Sequence, residues 1–217
     1  MLLKKLREEV LEANLELAKQ NLVVMTMGNA SGRDRETGLV VIKPSGVRYE
    51  KMKLEDLVVV NLSGETVEGK LKPSVDMLSH LIIYRRRNDF GGIVHTHSPY
   101  ATSFAVSGQN LPVYLTAHAD EFGMEIPVTR YASADLSAVG KEVVRTIGDS
   151  NLPAVLVKNH GVFTFGATAA AALKSAVMLE YIAKTSHLAL LRGRPHVIPE
   201  REARKWYRRY HEVYGQK

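Results

Sequence analysis

Between Met25 and Gly64 the chain reads as strands joined by turns, and that stretch narrows its fold more than any other feature. A hairpin runs from Met25 to Lys43, through a segment around Asn29-Ala30-Ser31, a turn closed by Gly38, and the run Leu39-Val40-Val41-Ile42. β-Branched runs with a glycine-bearing connection are the usual hairpin signal. Lys43-Pro44-Ser45-Gly46 breaks that strand, Leu57-Val58-Val59-Val60 makes another, and Gly64 turns the chain again. Ahead of this region, Leu3, Leu6, Val10, Ala13 and Leu17 recur at intervals of three and four, the spacing of an amphipathic helix. Asp76 to Arg87, Asp135 to Ile147, Thr168 to Leu191 and Pro199 to about His211 read as further helices, with Ser74 as the N-cap of the first. Ile93 to His97 and Ala154 to Val157 read as short strands, and residues 112–131 as one or two strands interrupted at Glu121-Phe122-Gly123. Hairpins prevail over regular strand–helix alternation, so a doubly wound parallel sheet is not expected. The reading is one α+β domain spanning residues 1–217.

Composition excludes several function classes. With 45% hydrophobic and 24% charged residues, the 217-residue chain is globular in type. It has no cysteine, which rules out disulfides and any metal site or nucleophile built on thiolate. No apolar run approaches the roughly 18 residues a membrane helix needs, and the opening Met1-Leu2-Leu3-Lys4-Lys5 lacks the apolar stretch of a signal peptide. A soluble, cytoplasmic protein with no membrane partner is expected. The formal charge of +6 and the sequence pI of about 9.4 admit anionic partners. Much of the excess lies in Arg85-Arg86-Arg87 and between Arg192 and Arg209, where solvated helix faces account for it, so no nucleic-acid partner is expected.

The most informative tripeptide is His95-Thr96-His97. On a strand, residues i and i+2 project from the same face, so both imidazoles can reach one ion at about 2.0–2.1 Å. A third donor must come from elsewhere, and His160 is the best candidate. It follows the apolar strand Ala154–Val157 in the loop Asn159-His160-Gly161, where a side chain can turn inward. A carboxylate would complete a four-ligand shell. Asp76, at a helix start, could do so or could simply favour the helix dipole. Asp120, read at a strand end, could do so or could form a turn.

Three stretches carry small donors suited to an anion: Gly28-Asn29-Ala30-Ser31, Lys43-Pro44-Ser45-Gly46 and Lys72-Pro73-Ser74. None is a Walker A loop and no Gly-x-Gly-x-x-Gly occurs, so nucleotide binding has no support.

Taken in order, Met27-Gly28-Asn29, Ile42-Lys43-Pro44-Ser45-Gly46, Val67-Glu68-Gly69, Pro73-Ser74-Val75-Asp76, Gly91-Gly92-Ile93-Val94-His95-Thr96-His97-Ser98, Thr116-Ala117-His118-Ala119-Asp120 and Asn159-His160-Gly161 resemble the class II aldolase and epimerase family, and within it the L-ribulose-5-phosphate 4-epimerases. The likeness runs from the first helix to Tyr214-Gly215-Gln216. It implies a three-layer α/β/α fold around a largely antiparallel sheet, assembled as a homotetramer. It also implies a divalent cation, Zn2+ or another such as Mn2+ or Co2+, on His95, His97 and His160 with Asp76 beside them. Gly28, Asn29, Lys43, Ser45, Gly46, Ser74, Val75 and Thr116 fall on substrate-binding positions. Asp120 and Tyr214 fall on the acid/base pair, the tyrosine coming from a neighbouring subunit. The implied reaction inverts C4 of a phosphorylated ketopentose, L-ribulose 5-phosphate, by opening and re-forming the C3–C4 bond. An aldolase of the same family, such as one acting on L-fuculose 1-phosphate, is the alternative. Met27 where the epimerases show Trp, and Val75 where they often show a second Ser, depart from the pattern.

Overall fold

The computed structural model describes residues 1–133 and 136–214. Helix α1 (Lys4–Lys19) leads into the hairpin β1 (Asn29–Arg33) and β2 (Val40–Ile42). Two short 3-10 turns precede β3 (Val58–Val60) and β4 (Thr66–Glu68). Then come α2 (Met77–Arg86), β5 (Gly92–Thr96), α3 (Pro99–Ser107), α4 (Thr116–Phe122) and α5 (Leu136–Ile147). The hairpin β6 (Ala154–Val157) and β7 (Gly161–Gly166) is followed by α6 (Ala169–Arg192) and α7 (Glu200–Glu212).

The seven strands form one sheet in the order β4-β3-β2-β1-β5-β7-β6, and every neighbouring pair is antiparallel. Helices cover both faces, which is why most of these strands are apolar at every position and not at alternate ones. Val40, Ile42, Val58, Val60, Ile93 and Phe163 share one face with Leu81 and Ile83 of α2 and Val143 of α5. Val41, Val59 and Val94 turn the other way, against Val10 and Leu17 of α1 and Ala172 and Ala176 of α6. Leu156 and Val162 extend that second face under Phe104 of α3 and Leu179 of α6. Each such Val, Leu, Ile or Phe side chain stabilises the fold by about 1.5–3 kcal/mol relative to exposure. The α/β/α sandwich around an antiparallel sheet is thus the architecture. Among the described residues, no helix is long and apolar enough to cross a membrane.

Several local readings need correction. Residues 112–131 do not form strands; apart from the isolated bridges Leu111–Ile126 and Val128–Leu156, their regular structure is α4. His118, Ala119 and Phe122 are buried, and a spacing of one and three shares a face only on a helix. Asp120 therefore lies within a helix and not at a strand end. Helix α3 was not anticipated, although Pro99 in its first turn and Gly108 just past its end are ordinary helix punctuation. β4 and β7 were likewise not anticipated. Ser74 is not the cap of α2: the N-cap is Asp76, and the Ser74 carbonyl instead accepts from Met77 N at 3.0 Å. The expected helix start at Asp135 lies outside the described residues.

His118 ties α4 to the loop after it. Its Nε2 donates to the Met124 carbonyl at 2.9 Å, and burial pushes its pKa down to about 4. An imidazole that stays neutral in the native state but titrates normally when unfolded gives full stability above pH ~6.5, and that stability drains as pH falls toward the folded value. The expected slope is about 1.4 kcal/mol per pH unit for each such group. Denaturant melts between pH 7 and 4 should therefore be less steep with pH in His118→Gln than in the wild type, by about one proton's worth. Equal slopes would show that His118 is protonated alike in both states.

Candidate metal centre

One end of the sheet carries the chemistry. β5 ends beside His95, and antiparallel register sets Asn29 of β1 and Phe163 of β7 directly opposite it on either side. The Phe163 ring stacks on the His95 ring with centroids 4.3 Å apart. His95 Nδ1 donates to the Val162 carbonyl at 2.9 Å, which fixes the tautomer and leaves Nε2 as a bare lone pair. His97, two residues on, leans to the same side, and its Nε2 lies 3.0 Å from His95 Nε2.

The third imidazole arrives on the turn between β6 and β7. Lys158-Asn159-His160 reverses the chain, with Asn159 in a left-handed conformation at φ 58°. His160 N donates back to Val157 O at 3.0 Å, and His160 Nε2 ends 3.1 Å from His95 Nε2. Gly161 makes this approach possible. A Cβ there would stand 2.4 Å from the Thr96 carbonyl and 2.9 Å from His97 Cδ2. One donor atom from each of the three histidines lies within 4.8 Å of the others.

Hydrogen bonding alone cannot account for this cluster. His95 Nε2 has one lone pair and two imidazole nitrogens at contact distance. Around a tetrahedral ion with bonds of about 2.0–2.1 Å, ligand nitrogens stand about 3.3 Å apart, close to the spacing seen. Electrostatics agree. Burial pushes His95 down to about 3, with Asp76 opposing, and burial also lowers His97 and His160, with His160 further lowering His97. All three are neutral at pH 7, the ligating form of imidazole. The donor set fits a borderline divalent cation.

Asp76 supplies the nearby carboxylate. Burial alone would raise its pKa, but His95, His80, the Asn29 amide and His160 together bring it below the ordinary value. It is ionised at neutral pH. His97, His160 and Asp76 share the wall of a cavity of about 370 Å³ with Thr26, Met27, Gly28, Lys43, Pro44, Ser45, Gly46, Ser74 and Val75. That is within the size range of small-molecule sites. Lys43 is 1% exposed, and among the described residues its ammonium reaches two carbonyls, Thr26 and Pro44, both at 3.3 Å. Burial lowers its pKa to about 8, with Asp76 opposing.

Of the substrate-binding positions expected from sequence, Gly28, Lys43, Ser45, Gly46, Ser74 and Val75 line the cavity. Asn29 does not: it is buried behind the wall. Thr116 starts α4 on the surface. Asp120 and Tyr214 face a different cavity of about 170 Å³, shared with Trp206, Arg209 and Tyr210. Sequence reasoning did not single out Tyr49, whose hydroxyl holds the site's rim at the Met27 and Gly28 carbonyls, 2.9 and 2.7 Å away, while its ring lies 4.8 Å under the Lys43 ammonium. No motif signalled it. His80, fully buried one turn after Asp76, bonds Ser31 Oγ at 2.7 Å; sequence reasoning gave it no role.

A sequence profile of the Class II Aldolase and Adducin N-terminal domain matches residues 8–187. The chain belongs to that family. Among solved structures, an L-fuculose 1-phosphate aldolase shares 30% identity with this class II aldolase-family chain, covering 95% of it and 96% of the other, with a TM-score of 0.86. An L-fuculose 1-phosphate aldolase from Glaciozyma antarctica PI12 (23% identity, 94% and 81% covered, TM-score 0.80) and a sugar-phosphate aldolase from Thermotoga maritima (20%, 90% and 98%, 0.69) share the fold. The sheet end that carries the histidines of this family member lies inside the matched span.

Proposed function

We propose that residues 1–217 act as one class II aldolase domain that opens and re-forms the carbon–carbon bond once removed from the carbonyl of a phosphorylated ketose. The observation that carries this reading is the convergence of His95, His97 and His160 on one point at the wall of a polar cavity. When bound there, a divalent cation, with Zn2+, Mn2+ and Co2+ the candidates, supplies the positive charge that an enediolate-type carbanion needs.

The chain's own groups supply the rest. Ser45 and Ser74 hydroxyls, with the glycine backbone at Gly46 and the start of α2, suit a phosphate group. Lys43 has three N–H groups and only two long carbonyl contacts, so one remains for a substrate oxygen. Val75, 62% exposed, brings an apolar side chain to the same wall in place of a second hydroxyl. With the imidazoles neutral and Asp76 ionised, Lys43, its pKa lowered by burial to about 8, is the ammonium that the site itself holds at pH 7. Asp120 and Tyr214 are the candidate acid and base. They lie together in their own cavity, and Tyr214 is 68% exposed, an arrangement that suits delivery to the histidine cavity of a neighbouring copy. A homotetramer accommodates this. Sedimentation of a fully active monomer would remove both residues from catalysis.

Aldol cleavage of L-fuculose 1-phosphate is the favoured activity, supported by the 30% identity over nearly the whole of both chains. Epimerisation of L-ribulose 5-phosphate is the second reading, favoured by the resemblance of the Thr116-to-Asp120 motif to the epimerases. The two differ in where phosphate sits: on the fragment that keeps the carbonyl for fuculose 1-phosphate, on the released aldehyde for ribulose 5-phosphate. The protein is to be incubated with each ester in turn, following dihydroxyacetone phosphate in one case and D-xylulose 5-phosphate in the other. One product is expected, and a strong chelator should abolish it until metal is restored. Metal-replete protein that turns over neither ester would overturn both readings. A nucleic-acid role has less support, because Arg204 pairs with Glu200 and Arg209 lies over Trp206 on α7. A cytoplasmic enzyme of sugar-phosphate metabolism is the proposed setting.

A further inference from the structure

We infer that Lys174 of α6 is a positioning residue for the proposed acid and base, pairing with Glu121 of α4 and lying over Tyr210 of α7 so that Tyr214 stays beside Asp120. This rests on the roles given above to Asp120 and Tyr214.

Helix α7 is fastened over its first half. Ala203 is buried against Val113 and Ala119, with Trp206 packed beside it. Tyr207 closes on Gly123, where an added Cβ would stand 2.9 Å from the tyrosine Cβ. Beyond Tyr207 no described side chain up to Tyr214 is buried. Tyr214 lies two residues past the end of the helix, and its ring stacks on that of Tyr210 with centroids 5.3 Å apart and 21° between planes. Tyr214 therefore takes its place from Tyr210.

Lys174 reaches that ring from α6. Its ammonium lies 5.1 Å from the Tyr210 centroid and 2.8 Å from Glu121 Oε2. A cation within about 6 Å of an aromatic face is attracted by the ring quadrupole. Glu121 is 5% exposed and follows Asp120 directly on α4. A buried carboxylate needs an opposite charge, and Lys174 is the cation it pairs with. Partial burial lowers the Lys174 pKa, but the Glu121 carboxylate, helped by Tyr210, outweighs it and leaves the ammonium above its ordinary value. One side chain thus ties the residue after Asp120 to the ring on which Tyr214 rests. Lys174 lines neither the histidine cavity nor that of Asp120 and Tyr214, so it acts through the tyrosines and not on substrate.

The test compares Lys174→Met, Lys174→Arg, Tyr214→Phe and the Lys174→Met, Tyr214→Phe double variant as full-length, metal-replete protein. Readouts are kcat and KM on the ester that is turned over, Zn2+ affinity by chelator competition, and amide hydrogen exchange over residues 208–214. Lys174→Met is expected to lower kcat at least about tenfold, as a misplaced reacting group does. It should leave KM and Zn2+ affinity within about twofold and speed exchange over residues 208–214. Lys174→Arg, which can still pair with the carboxylate and stack on the ring, should restore kcat to within about threefold. In the Tyr214→Phe background Lys174→Met should cost less than about twofold more, since the hydroxyl it positions is gone. If thermal melts show Lys174→Met unfolded, Lys174→Met with Glu121→Gln, which leaves no lone buried carboxylate, takes its place. Unchanged kcat would overturn the inference, and so would an equal loss in both backgrounds, which places the effect in the fold. A raised KM at unchanged kcat would overturn it by making Lys174 a substrate contact. Tyr214→Phe at wild-type turnover would instead fail the acid–base reading itself. Exchange needs no turnover, so unaltered exchange in Lys174→Met overturns the inference even in a protein that acts on neither ester.

Discussion

Replacing His160 with alanine is expected to give a folded protein that loses its divalent metal on dialysis and turns over sugar phosphate at least about a thousandfold more slowly. The fold should survive because the turn is held by backbone, His160 N to Val157 O at 3.0 Å and Asn159 N to Ala105 O at 3.2 Å, neither of which involves the imidazole. What disappears is one of three neutral nitrogens around a point where His95 Nε2 already has its tautomer fixed by Val162. Two imidazoles and a carboxylate are a weaker trap for a cation than three and a carboxylate. His95→Ala should behave differently: it empties a site that is 1% exposed and stacked on Phe163, so a stability loss of about 2–4 kcal/mol should accompany the loss of metal. Elemental analysis after dialysis, thermal melts and kcat for both variants check this. A His160→Ala protein that keeps stoichiometric metal and wild-type turnover would remove the turn from the centre.

How much of this was legible in the sequence depended on whether the signal was local. His95 and His97 could be paired from strand geometry alone, because period two puts i and i+2 on one face whatever the partner strands are. That His160 joins them needs the β6–β7 hairpin to pair with β5, a non-local contact; the loop after an apolar strand made His160 the best candidate, and the family resemblance implied it as a ligand. The hairpins were legible from glycine and proline punctuation, while the antiparallel sheet came with the family resemblance; β7 went unread, although Val162-Phe163-Thr164-Phe165 between two glycines is β-prone. Helix α4 was mistaken for strand because the Leu111 to Leu115 approach is β-prone, while its burial is decided by α7 packing on it from far along the chain. Asn29 shows the limit most clearly. Its donor chemistry marked it for an anion, and its contact with the Asp76 carboxylate depends on an α2 start 47 residues away.

Gly161→Ala is expected to disable the centre without touching a ligand. The added methyl would meet the Thr96 carbonyl at 2.4 Å and His97 Cδ2 at 2.9 Å, with His95 Cε1 at 3.3 Å. The first of these is backbone at the end of β5, where Thr96 pairs with Val162 of β7, and it cannot yield as a flexible side-chain end would. The turn must lift instead, and the turn carries His160. Overpacking of this kind costs about 1–3 kcal/mol, and a lift of even about 1 Å breaks the coincidence of three nitrogens, because metal–nitrogen distances tolerate only about 0.2 Å. The predicted signature is therefore a pair of effects of unequal size: a modest fall in melting temperature, and a loss of metal affinity of at least about 100-fold that persists at temperatures where the variant is fully folded. Asn159→Gly, which relaxes the left-handed residue at φ 58° in the same turn without adding bulk, should leave metal affinity within about twofold. If Gly161→Ala bound metal as the wild type does, the close packing of the turn on β5 would have no part in presenting His160, and the metal centre would owe its geometry to the ligands alone.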